Sequence, residues 1–109
     1  MKLWLDDKRD PVQFTGETDW IWIKTARDAV DMILFGRVEE VSLDHDLGPE
    51  EVCGDGYMVA KAIEEAAFNG YIKPLKWRIH SQNSVGVASM RQALENADRY
   101  WTAGKEDQT

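Results

Sequence analysis

Three places in the chain put ionisable residues directly behind a short apolar run. "LWLDDKR", Leu3 to Arg9, delivers Asp6 and Asp7. "VSLDHDLG", Val41 to Gly48, carries Asp44, His45 and Asp46. "WRIHSQN", Trp77 to Asn83, ends the run with His80 and Ser81. Carboxylates brought close together repel one another and partly protonate unless a cation shares them. Oxygen donors with room for water suit Mg²⁺ or Mn²⁺. Asp6, Asp7 and Asp44 are therefore candidate metal ligands, and a bound cation would hold a phosphate oxygen beside Asp44. The plainer uses are turns and caps: Asp-Asp behind a strand caps a helix as readily as it binds an ion, and Ser81 and Asn83 suit a helix start.

That chemistry requires elements that bring the three stretches together. "KLWL", "WIWI", "VSL" and "LKWRI" read as four strands, being apolar, aromatic or β-branched. Thr25 and Asp28 open a helix whose apolar residues Ala26, Ala29, Val30, Ile33 and Leu34 share a face, with Gly36 as its stop. A second helix starts near Gly56 and stops at Asn69-Gly70. A third, capped by Ser84, presents Val87, Met90, Leu94 and Ala97 and ends near Tyr100. The stretch between Asp44 and Gly56 reads as a long loop. Asp6 to Asp19 has no helical period and contains Pro11 and Gly16. It is either a helix-poor crossover or a hairpin-like return. One sheet face is then short of a helix, and Trp4, Trp20, Trp22 and Trp77 are expected to supply the missing apolar mass.

Strands alternating with helices predict an α/β, three-layer fold with a mostly parallel four-stranded sheet. The right-handed crossover rule gives the order 2-1-3-4, with the fourth strand at an edge. Residues 1–101 form a single domain and residues 102–109 a flexible polar tail. In such a sheet, ligands bind beyond the carboxyl ends of the strands, where the three stretches converge.

Composition narrows the function further. Twenty Asp and Glu oppose thirteen Lys and Arg, a net charge of −7. That balance argues against non-specific nucleic-acid binding, which depends on phosphate contacts, and leaves an acidic surface for a protein partner. The one cysteine, Cys53, forms no internal disulfide and suits a reducing, cytoplasmic setting. No apolar run approaches a membrane span.

"LWLDDKRDP", "SLDHDLG", "GDGYMVAKAI", "IHSQN" and "GVASM" together resemble the cyclic-phosphate-processing receiver domain, a divergent branch of the response-regulator receivers. The similarity runs from Leu3 to Met90. It implies a receiver-like, flavodoxin-like fold in which Asp6 and Asp7 hold a divalent cation, Asp44 is the phosphoacceptor position, Asp46 lends its backbone carbonyl to the metal and Ser81 contacts phosphate. The branch adds the histidines, here His45 and His80, and an activity on cyclic phosphates of nucleotides or RNA ends. The chain departs from receivers in lacking a fifth strand and its lysine, a charge that Arg9 or Lys8 can replace.

Two enzymatic readings and a non-enzymatic one use the same residues. In one, Arg9, Ser81 and Asn83 bind phosphate while His45 and His80 move protons, as a near-neutral pKa allows. In another, Asp44 attacks phosphorus. In the third, the domain is a regulatory or protein-binding module, an adaptor or inhibitor without turnover.

Overall fold

Each apolar run forms a four-residue strand in the computed structural model, which describes residues 1–107: β1 (Lys2–Leu5), β2 (Trp20–Ile23), β3 (Glu40–Leu43) and β4 (Lys76–Ile79). All pairings are parallel and the order is β2-β1-β3-β4, as the crossover rule predicts. Five helices connect and follow them: α1 (Pro11–Thr15), α2 (Ala26–Phe35), α3 (Glu50–Cys53), α4 (Gly56–Asn69) and α5 (Ser84–Asp107). The architecture is receiver-like. No described helix is long and apolar enough to cross a membrane.

Strand side chains alternate between faces, and here the two faces have different uses. Leu3, Leu5, Val41 and Leu43 point to one side. They join Ala26, Ala29 and Ile33 of α2, Val59 and Ile63 of α4, and Met90 and Leu94 of α5 in a single core. All three long helices therefore cover the same face. Completely burying a leucine such as Leu43 is worth about 1.5–3 kcal/mol.

Trp4, Ser42 and the charged residues Lys2, Glu40 and Arg78 point to the other side. That face has only α1 and aromatic rings as its third layer. Trp4 meets Phe14 at 5.4 Å and Trp20 at 5.6 Å between ring centroids. Trp22 caps the next position, its Nε1 donating to the Asp6 carbonyl at 2.7 Å. Three of the four tryptophans thus belong where they were expected. Trp77 does not: its register partner is Val41, so alternation sends it to the core face, where it packs partly buried.

Three further differences from the sequence reading are local. The Asp6–Asp19 stretch contains α1, with Asp10 as N-cap, Pro11 at its start and Gly16 in the left-handed conformation at its end. The loop after Asp46 contains the short α3. The last helix continues past Tyr100 to Asp107, helped by Trp101, whose Nε1 donates to the Ile72 carbonyl at 3.3 Å. Of the tail expected at 102–109, residues 108–109 lie outside the described residues.

Candidate functional site

The strand register builds the site. Trp4, Ser42 and Arg78 stand side by side on β1, β3 and β4. The ladder continues past the strand ends: Asp44 N donates to the Leu5 carbonyl at 2.9 Å and His80 N to the Leu43 carbonyl at 3.0 Å. Two residues further along, on the same face, come Asp6, Asp44 and His80. Three strand ends thus place two carboxylates and an imidazole on one rung. Donor atoms from all three lie within 4.8 Å of one another, close enough for one ion to reach them.

Burial sets the character of this rung. Among the described residues the buried polar side chains are Asp6, Ser42 and Asp44, all on this face. Buried polar groups must be paired, and these are. Asp6 Oδ1 accepts from the backbone N–H groups of Lys8 at 2.8 Å and Arg9 at 2.9 Å. Its Oδ2 faces His80 Nε2 at 3.0 Å. Asp44 Oδ1 accepts from His45 N at 2.8 Å. Burial raises the Asp44 carboxyl above the usual carboxylate range, opposed by that N–H and reinforced by neighbouring Asp6.

Arg9 is drawn into the site instead of lying solvated on the surface. Its Nη1 donates to the His80 carbonyl at 3.2 Å and stands 3.7 Å from Asp6 Oδ2 and 4.0 Å from Asp44 Oδ2. Trp4 Nε1 fixes the turn by donating to the Arg9 carbonyl at 2.9 Å. A fixed guanidinium therefore already faces the carboxylates.

Above the rung lies an open cleft of about 820 Å³ lined by Asp6, Asp7, Arg9, Asp44, Asp46 and Ser81, with Asn83, Lys8 and Pro49 on its rim. The two histidines do not share it. His80 lies beneath, with both ring nitrogens engaged. His45 follows Asp44 and turns to the other side, as alternation requires. It borders a separate groove with Asp55, Tyr57 and Gly86. Its Nδ1 meets Asp46 Oδ1 at 2.8 Å. A Cβ on Gly86 would lie 2.5 Å from the imidazole, so only glycine there admits the ring. Gly56 has a similar use: a Cβ would fall 1.9 Å from the Asp44 carbonyl oxygen.

The chain matches the family model of the cyclic-phosphate processing receiver domain over residues 1–96. It belongs to that family. Neither a search of curated proteins nor a search of solved structures found a match.

Within this receiver domain the residues fit a divalent cation. Asp6 and Asp44 present carboxylates on one rung, Asp7 opens into the same cleft, and the raised Asp44 carboxyl reflects burial and a neighbouring charge that a cation would offset. Asp46 is exposed and hydrogen-bonded to His45 through its side chain. Asn83 Oδ1 accepts from Gly86 N at 3.0 Å, so Asn83, not Ser84, caps α5. Its Nδ2 faces His45 Nδ1 at 3.3 Å. Ser81 Oγ accepts from Asn83 N at 3.1 Å while lining the cleft. Ser42 and Trp4 were not among the residues chosen from sequence. A lone serine inside an apolar strand is the one signal that pointed to the first.

Proposed function

We propose that this protein is a metal-assisted phosphate-handling domain that processes cyclic phosphates, with nucleotides or RNA ends as the substrate class. The observation that carries the reading is the buried Asp6–Asp44 pair opening into a cleft that also holds Arg9 and Ser81. Asp6, Asp7 and Asp44 are the side chains that would hold Mg²⁺ or Mn²⁺, with the Asp46 backbone as a further donor. The ion supplies charge neutralisation of phosphate oxygens when bound.

The chain's own groups then divide the work. Arg9 orients a phosphate oxygen from the side of the His80 carbonyl. Ser81 and Asn83, which line the same cleft, offer further donors. Asp44, which lines the cleft with its Oδ2 4.0 Å from Arg9 Nη1, is the group assigned to act on phosphorus. It either attacks phosphorus, breaking one ring P–O bond to give an aspartyl phosphodiester still esterified to the sugar, with water protonating the freed sugar oxygen and a second water then cleaving the Asp44–phosphorus bond, or it takes a proton from an attacking water and returns it to the ring oxygen that leaves. A carboxyl raised by burial suits the second role; its acceptor position in receivers suits the first. His45 and His80 are not needed as proton carriers in either. The lone cysteine fits a cytoplasmic setting, and the acidic surface fits a basic protein partner.

Hydrolysis of a 2′,3′-cyclic nucleotide with Mg²⁺ or Mn²⁺ tests this. Turnover should disappear in Asp44→Asn and persist in His45→Ala. No turnover by the wild type across cyclic and linear phosphoesters would leave the second reading, a binding module without chemistry. That reading is favoured by the Arg9 guanidinium, which stands 3.7 Å from Asp6 Oδ2 and 4.0 Å from Asp44 Oδ2 and so offsets part of their charge without a cation.

A further inference from the structure

His80 has two readings on the rung. As a third ligand it would point a bare nitrogen at the ion. As a support it would point a proton at Asp6. The surrounding contacts decide between them. Nε2 is 3.0 Å from Asp6 Oδ2, and a carboxylate oxygen only accepts. A hydrogen bond there requires the proton on Nε2. In the neutral ring Nδ1 is then an acceptor, and it meets Ser42 Oγ at 2.8 Å. A hydroxyl can donate there, and Ser42 is 1% exposed, out of reach of bulk water. The ring plane is set as well: Trp4 stacks on the imidazole at 3.9 Å between centroids with 7° between planes.

We propose that Ser42 is a positioning residue: by donating to His80 Nδ1 it fixes the Nε2–H form of the ring, which holds the Asp6 carboxylate facing Asp44. The chain Ser42–His80–Asp6 resembles a nucleophile–base–acid triad in composition, but not in use. Its serine is sealed under the rung, and its product is an oriented carboxylate. Hydrogen bonds of this kind keep an imidazole in one tautomer and a ligand in one direction. His80 is thereby a support for the cation site and not one of its ligands. The metal part of this inference rests on the proposed function; the tautomer does not.

The test is long-range ¹⁵N NMR of the His80 ring in the wild type and in Ser42→Ala, each without and with Mg²⁺. The wild type should show a protonated Nε2 and a bare Nδ1, and Ser42→Ala a mixture of the two neutral tautomers. Adding Mg²⁺ to the wild type should move the Asp44 amide while the Nε2–H pattern stays. In Ser42→Ala the Mg²⁺ affinity should fall by about tenfold. A bare Nε2 in the free wild type would overturn the proposal, as would an unchanged tautomer in Ser42→Ala. Loss of the Nε2 proton on Mg²⁺ addition would make His80 a ligand and overturn it too. If Mg²⁺ moves nothing in the wild type, the cation reading of the cleft fails, and the free-protein spectra still decide whether Ser42 sets the ring.

Discussion

The two faces of the sheet are made by the same strands, often by adjacent residues, yet they obey different rules. Leu43 and Ser42 are neighbours in sequence and both are buried. Leu43 is buried in the apolar cluster that the three long helices share, through dispersion and apolar burial with no directional requirement. Ser42 meets a single imidazole nitrogen through one directed bond. Among the described residues, the face covered by helices buries no polar side chain. The other, roofed by a five-residue helix and aromatic rings, leaves room at its end for a cleft. The weaker cover is what makes the site open to a ligand.

The sharpest way to break this contrast is to truncate both neighbours. Leu43→Ala should cost about 2–5 kcal/mol in urea denaturation, because a core cavity is left. Ser42→Ala should cost about 1–2 kcal/mol, the penalty for leaving His80 Nδ1 unpaired. A Ser42→Ala loss equal to that of Leu43→Ala would mean that the two faces carry stability alike.

Trp4→Phe sharpens it at the roof. The ring stack on His80 survives, but the donor to the Arg9 carbonyl is lost, at about 1 kcal/mol. Hydrogen exchange should rise at the Lys8 and Arg9 amides and stay unchanged in α4. Equal exchange in both proteins would show that Trp4 serves only as packing.

The smallest effect is on pH. Burial lowers the His80 pKa below its ordinary 6.5, against the raising effect of Asp6. Between the lowered value and 6.5 the unfolded chain binds a proton that the folded one refuses. Stability therefore falls as pH drops through that window, and the loss is complete below it. Asp44 acts in the opposite sense at lower pH, because its raised pKa makes the folded state the better proton acceptor. The difference in denaturation midpoint between wild type and His80→Gln should slope across the histidine window. A flat difference would place His80 in a solvated setting.

What the sequence disclosed divides along the same line. Strand runs, helical periods and the handedness of crossovers are local or general, so the sheet and its order were readable. So was the convergence of Asp6, Asp44 and His80, since strand ends in a parallel sheet point to one edge. Helix α1 was not, because five residues show no period, although Asp10-Pro11 and Gly16 marked its ends. The end of α5 was missed because its last turns are polar and carry no apolar face beyond Trp101. The directions of Arg9 and His45 depend on distant partners, the His80 carbonyl and Gly86, which no spacing within one segment encodes. Trp77 could have been placed from alternation alone, once its register with Val41 was known.

Among the described residues β4 is a border of the sheet, with backbone groups that a foreign strand could pair. Only four residues long, that border carries the exposed Lys76 and Arg78. Lysine and arginine on so short a rim make a poor template for amyloid-like stacking, since an incoming copy would bring the same charges alongside. The sheet border thus carries its own protection against self-association, and replacing both residues with threonine would be expected to raise thioflavin-positive aggregation.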